Sequence, residues 1–282
     1  RAIAGRPLSQ IPSTELPLLH HVLDDFTEPW RDPPAEVVLL HPGLGGNGRL
    51  YRAWVPLLAD RYRVLRVDAR GQGFSPRPAG YTFSAGRWLA DVLAVLDHYE
   101  IARVHWVGAS GGGIMGQYAA IHVPERIATL SLIATTAHLQ GPAGGFDAWL
   151  EPLERGDQAK FIGRDIERRF GRDNPTRTEW IINELCRTPA KTSAELHRWI
   201  HTVDLRGEIA QIQCPALVVT GEHDMLTGLD EARFMASQIP DARLKIIHDQ
   251  PHNVGYTHPH LIAGIVRSFI DEHSGKGSTS HG

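Results

Sequence analysis

Short apolar runs recur along the chain at Val37–His41 and at residues 63–68, 104–109, 128–134, 216–221 and 243–248, and stretches with helical periodicity separate most of them. Residues 88–99 show the helical pattern, with Leu89, Val92, Leu93, Leu96 and Tyr99 on one face and Asp91 and Asp97 opposite. The runs barely alternate between apolar and polar, so they predict strands of a mostly parallel sheet, buried on both faces beneath helices. Residues 18–25 predict an added antiparallel edge strand. The sequence contains no internal repeat.

The rhythm breaks after residue 135. Residues 136–205 keep a helical pattern with no strand between two sheet segments, too long for an ordinary crossover. This predicts an α/β core made of residues 1–135 and 206–282 and an inserted helical cap over 136–205. Gly141, Pro142, Gly144 and Gly145 at the cap entrance suit a hinge or a pocket rim. The low-complexity tail 274–282 is expected to be disordered.

With 282 residues, 42% of them hydrophobic, the chain is long enough to bury a full core. The balance of 29 Lys and Arg against 32 Asp and Glu, without a run of either sign, argues against nucleic-acid and anionic-membrane partners. A small molecule is the expected partner, and a homo-oligomer is compatible with the sequence. Cys186 and Cys214 are too few for a disulfide framework and are expected to be reduced. No apolar run spans a bilayer, so the cytoplasm is the expected location; because residue 1 is Arg rather than Met, a removed leader stays open.

The chemistry starts at Gly108-Ala109-Ser110-Gly111-Gly112, which follows the apolar run 104–107 and opens the helical stretch 114–122. A strand that turns straight into a helix throws its turn residue clear of the sheet in a strained conformation, and only small neighbours fit beside it. Ser110 is therefore the candidate nucleophile. The Gly111 amide, at a helix N-terminus, is a candidate oxyanion donor. A serine hydroxyl is protonated at neutral pH and needs a base, which in turn needs a third group to orient it. Asp224 follows the strand 216–221 and His252 follows the strand 243–248, so both emerge at the sheet edge where Ser110 projects.

Among 16 histidines, His252 is selected by position. His248 lies inside a predicted strand, and His258 and His260 flank Pro259 at the start of the last helix, where polar residues act as caps. Glu222 and Asp249 compete with Asp224 for the acid; Glu222 follows its strand too closely, and Asp249 is almost adjacent to His252. A second oxyanion donor is expected in Pro42-Gly43-Leu44-Gly45-Gly46 after the first core strand, with the Leu44 amide preferred and Gly43 as fallback. His41, which closes that strand, is read as a structural hydrogen-bonding group. The loop 68–75 is not a dinucleotide fingerprint, because no helix opens behind its glycines; Asp68 and Arg70 are expected to make buried hydrogen bonds. The scattered histidines give no metal site, and no cofactor is expected.

Taken together these segments resemble the α/β-hydrolase-fold enzymes over nearly the whole chain, from about residue 34 to 269. Residues 39–46 resemble the family's oxyanion loop, with Pro42 where the family usually has His, and residues 68–75 resemble its Asp-x-Arg-Gly-x-Gly-x-Ser loop. Ser110, Asp224 and His252 fall on the family's triad positions. Residues 203–206 and 214–224 are similar to the 3-oxoadipate enol-lactonase branch, which implies a serine-dependent ester or lactone hydrolase without a cofactor. His138 stands where those lactonases carry a basic residue for the substrate carboxylate, which counts against carboxylate-lactone specificity. Gly111 stands where many relatives carry a larger residue and is expected to open space beside the nucleophile. Resemblance to the meta-cleavage C–C hydrolases is weaker, because residues 252–256 lack their Trp after the histidine.

His138 and Trp149 are the expected pocket walls. The cap arginines, among them Arg155, Arg164, Arg169, Arg172 and Arg198, are interleaved with acidic residues and read as solvated ion pairs rather than as an anion site. Trp149, Phe170, Trp180 and Trp199 are read as cap core. Two other classes fit the same sequence: a cofactor-free lyase or perhydrolase using the same triad, and a hydrolase-like ligand receptor.

Overall fold

The computed structural model describes residues 16–141, 145–164 and 166–275. Its first half runs β1 (His21–Asp24), β2 (Val37–His41), α1 (Val55–Leu58), β3 (Arg63–Val67), α2 (Ala85–His98), β4 (Val104–Ala109), α3 (Gly111–His122) and β5 (Ile127–Ile133). Five helices follow before the next strand: α4 (Phe146–Glu154), α5 (Gln158–Gly163), α6 (Ile166–Phe170), α7 (Pro175–Leu185) and α8 (Ala190–Ile200). The chain then returns through β6 (Ala216–Gly221), α9 (Leu229–Gln238), β7 (Ala242–Ile247), α10 (Val254–Thr257) and α11 (Pro259–Asp271). The start of the chain, with its question of a leader, lies outside the described residues, as do Pro142 and Gly144 of the cap entrance and tail residues 276–282.

The strands form one seven-stranded sheet in the order β1-β3-β2-β4-β5-β6-β7. Every pairing is parallel except that of β1, which runs antiparallel along β3 with His21 opposite Val67, as the segment 18–25 predicts. Alternate strand residues feed opposite faces. Leu39, Leu65, Trp106, Leu130 and Val218 pack with residues of α2, α3 and α9. Val38, Leu40, Val64, Val107 and Val219 pack with residues of α1 and α11. Two-sided burial explains the continuous apolar runs of the central strands. It does not extend to the edge, because β7 has exposed positions among its side chains.

One expectation for α2 fails in an instructive way. Leu89, Val92 and Leu96 are buried as the periodicity requires, yet Asp91, placed on the polar face, is buried too. Arg70 grips both of its oxygens, at 2.6 and 3.2 Å, and the Tyr81 hydroxyl adds a third bond at 3.0 Å. A carboxylate withdrawn from water needs such a full set of partners. The same segment, 68–75, holds Asp68, which accepts from the Gly48 amide at 2.7 Å and the Phe74 amide at 2.9 Å. It thereby fixes the loop after β2.

His41 is wholly internal. Its imidazole stacks on Trp106 at 5.4 Å, its Nε2 accepts from Trp88 Nε1 at 2.8 Å, and its Nδ1 lies 3.0 Å from the Pro42 carbonyl. Burial pushes its pKa down to about 4, so it is a neutral spacer between strand and helix. Two smaller expectations are also corrected. Trp180 is 36% exposed rather than part of a helical core, since it lies on the outer side of α7. His258 occupies the N-cap position of α11 but makes no side-chain cap bond; its Nδ1 meets the Thr257 hydroxyl instead.

Candidate active site

Ser110 sits between β4 and α3 with φ 49° and ψ −119°, a left-handed conformation that costs a non-glycine residue roughly 1–3 kcal/mol. Four bonds hold it there. Its amide donates to the Ile133 carbonyl at 2.9 Å, and its carbonyl accepts from the Thr135 hydroxyl at 2.6 Å and from the Gly113 and Ile114 amides at 2.8 and 3.2 Å. The turn closes because Gly108 has no side chain: a Cβ there would lie 2.5 Å from the Gly112 carbonyl carbon and 2.6 Å from the Gly113 nitrogen. Strand and helix could not then approach so closely.

Asp224 and His252 meet as their positions after β6 and β7 imply. His252 Nδ1 lies 3.0 and 2.9 Å from the two Asp224 oxygens. Asp224 is 4% exposed and also accepts from the Leu226 amide at 2.9 Å, the Thr227 amide at 3.0 Å and the Thr227 hydroxyl at 2.7 Å. Burial alone would raise its pKa, but the facing His252 and the Thr227 donors outweigh burial and hold the carboxyl well below the usual carboxylate range. The competing acids are engaged elsewhere. Glu222 accepts from the Asp249 amide and pairs with His248, while Asp249 pairs with His223.

Ser110 and His252 line the same cavity of about 580 Å³. Among the described residues, the Ser110 hydroxyl and His252 share no hydrogen bond; contacts of this kind are often long in a site without substrate. Leu44, His138 and Trp149 line this cavity as well. His138 is fixed by its Nδ1, 2.8 Å from the Val203 carbonyl, and Trp149 meets Phe161 edge-on at 4.8 Å.

The loop after β2 supplies backbone donors. The Gly43 amide, the fallback donor, is already bonded to the Tyr256 hydroxyl at 3.2 Å, whereas the Leu44 and Gly111 amides have no acceptor among the described residues. The two lie close together, since a Cβ built on Gly111 would be 3.4 Å from the Leu44 nitrogen. That Cβ would also sit 2.8 Å from Leu44 Cδ2, so the space expected beside the nucleophile at Gly111 is filled by the Leu44 side chain. Cation placement follows the solvated reading for Arg155, Arg172 and Arg198, which pair with Glu151, Glu167 and both Asp147 and Glu154. Arg164 and Arg169 do line the cavity, with guanidinium groups bonded to the carbonyls of Trp149 and Ile162.

Sequence reasoning missed two groups that hold the donor loop. Tyr256 bonds Gly43, and Gln72 Oε1 accepts from the Gly45 amide. Gln72 lies in the glycine-rich loop 68–75, and nothing in the sequence signals that its side chain crosses to the neighbouring turn. Among the described residues no group of three His, Cys, Asp or Glu is placed to hold a metal ion, and no helix is long and apolar enough to cross a membrane. Cys186 and Cys214 are free thiols.

Comparison with known proteins accords with this geometry. The chain is 28% identical over 247 residues to 3-oxoadipate enol-lactonase 2 of Acinetobacter baylyi, covering 84% of this chain and 90% of that protein. The crystal structure of the enol-lactonase from Burkholderia xenovorans LB400 superposes with a TM-score of 0.81 at 28% identity, covering 90% of this chain and 96% of that one. A hydrolase from Pseudomonas aeruginosa superposes with a TM-score of 0.78 at 30% identity, covering 89% and 93%. The pattern of the alpha/beta hydrolase fold matches residues 36–259, and with the sheet order and the serine elbow this shows that the chain belongs to the α/β-hydrolase-fold family.

Proposed function

We propose that this chain is a serine hydrolase of carboxylic esters or lactones that works through an acyl-enzyme intermediate. One observation carries the reading: Asp224 engages His252 through Nδ1, which leaves the other imidazole nitrogen for the cavity that Ser110 also lines. In the proposed reaction Ser110 Oγ attacks the substrate carbonyl carbon while His252 Nε2 takes the hydroxyl proton. The Leu44 and Gly111 amides, aided by the positive end of α3, bind the oxyanion that forms. Collapse expels the alcohol, which leaves with the proton from His252. Water activated by the same imidazole then releases the acid. That the Acinetobacter and Burkholderia relatives are enol-lactonases supports a lactone substrate. We assign substrate choice to residues 136–205, the helical cap.

A para-nitrophenyl phosphonate ester tests this directly. It is expected to release one equivalent of nitrophenolate and leave the phosphonyl group on Ser110, read by peptide mass spectrometry. Labelling of a different residue, or none after prolonged incubation, would overturn the mechanism. The Tyr256 hydroxyl, as the hold on Gly43, gives a milder expectation. Tyr256→Phe should lower kcat about tenfold with little change in KM, because the loop loses position rather than a donor. Steady-state kinetics on one chromogenic ester checks it; a large KM effect with unchanged kcat would move Tyr256 from the oxyanion loop to ground-state binding.

A further inference from the structure

Helix α8 and its C-cap residue present Ser193, His197 and His201 at four-residue spacing, and all three line the cavity. Residues i and i+4 lie one above the other on a helix surface, so the three form a single polar column. Each carries an atom that ought not to be idle. Ser193 Oγ, His197 Nδ1 and His201 Nε2 are buried and have no hydrogen-bond partner among the described residues, and Gln158 Oε1, on another cavity-lining residue, is in the same condition. A buried polar atom left unpaired is costly, so several on one wall favour a bound polar group that pairs with them.

The column is set among rings. His197 meets Trp149 edge-on at 4.9 Å and Phe161 at 5.1 Å, and His201 meets Phe146 at 4.5 Å. Burial, with His201 and Arg169 nearby, pushes the His197 pKa down to about 3, so the ring is neutral at any working pH. Burial lowers His201 as well, and its Nδ1, 2.8 Å from the Leu139 carbonyl, acts as donor; Nε2 is therefore an acceptor. The wall thus offers an acceptor at His201, a hydroxyl at Ser193 that both donates and accepts, and a neutral imidazole between them. The column itself carries no positive charge, and Asp230 and Glu231 line the same cavity; Arg164 and Arg169 also line it and keep their charge, with their guanidinium groups held by the carbonyls of Trp149 and Ile162.

We propose that the Ser193–His197–His201 column is a recognition surface for a hydroxyl group on the acyl part of the substrate, selecting neutral hydroxyacyl esters over alkyl and carboxylate-bearing ones. The inference rests on the hydrolase reading above. It goes beyond that reading in naming what the cap side of the cavity selects. The acyl part is the relevant one because it stays bound through both half-reactions, whereas the alcohol leaves after the first. A hydroxyl fits because it donates and accepts at once, which a carboxylate or a methyl group does not. Sites built to bond a hydroxyl discriminate strongly against analogues that leave the site's own polar atoms unpaired.

The test compares para-nitrophenyl esters of ω-hydroxyhexanoate, heptanoate and hydrogen adipate, the first two matched in chain length. With wild-type protein, kcat/KM is expected to favour the hydroxy ester by about tenfold or more over heptanoate and to be lowest for adipate. In His197→Phe, which keeps a ring in place, and separately in Ser193→Ala, the hydroxyl preference is expected to fall to within about twofold. A wild-type ratio near one, a preference for adipate, or a ratio that survives both substitutions would overturn the proposal. Dissociation constants of the first two esters for the Ser110→Ala variant need no turnover. Equal affinities there overturn the recognition wall by themselves, whereas failure of every ester to turn over sinks only the hydrolase reading.

Discussion

Ser110→Ala is expected to reduce kcat on a short-chain para-nitrophenyl ester by about 10⁴-fold or more while leaving the melting temperature unchanged or slightly higher. The size of the loss follows from the proposed acyl-enzyme mechanism. His252 and the Leu44 and Gly111 amides remain, but with no hydroxyl to deprotonate they act only on water, and the residual rate is what binding and oxyanion stabilisation give alone. Stability should not suffer, because the bonds that hold the elbow use the backbone of residue 110 and not its side chain. Circular dichroism and calorimetry establish the fold, and stopped assays with excess enzyme measure the residual rate. Retention of more than about a tenth of the activity would exclude Ser110 as nucleophile.

Gly108→Ala is expected to have the largest effect on stability, about 4 kcal/mol or a fall of roughly 10 °C in melting temperature, with failure to accumulate as soluble protein at the extreme. The added methyl meets backbone and not a flexible side chain: the Gly112 carbonyl and the Gly113 nitrogen lie in its path. Relief requires α3 to move away from β4, which opens the core where Trp106 and Met115 are packed. It also displaces Ser110, so any soluble fraction should be inactive. Urea unfolding followed by tryptophan fluorescence checks the figure; a variant within about 1 kcal/mol of wild type would show that the strand–helix junction is softer than its geometry implies.

Much of the architecture was legible because its signals are local. Continuous apolar runs marked the buried strands, and the glycines around Ser110 marked a junction that needs small residues. The chain order of Ser110, Asp224 and His252 pointed to one sheet edge. What escaped was set by pairings across the fold. Asp91 reads as a surface carboxylate until Arg70 is brought to it from the loop after β3. The glycine at 111 reads as free space until the Leu44 side chain arrives from the loop after β2. The bonds of Tyr256 and Gln72 to Gly43 and Gly45 span 213 and 27 residues of sequence, beyond the reach of any local pattern. Ser193, His197 and His201 did carry a visible signal in their spacing, but among 16 histidines that signal competes with many others.

The end of α7 and the turn that follows it are fastened to the loops after β2 and β3. The Thr188 hydroxyl donates to the Gly45 carbonyl at 3.0 Å and accepts from the Gly73 amide at 3.2 Å, and Asn47 donates to the Glu184 carbonyl at 3.1 Å. On the opposite flank the Asn253 amide donates to the Arg169 carbonyl at 2.9 Å. A roof riveted to the loops after β2, β3 and β7 is ill suited to swinging open at each turnover. Traffic of substrate and product then depends on breathing of side chains at the mouth, and mutations that broaden the diet of such an enzyme by shifting its roof will tend to blunt its rate as well.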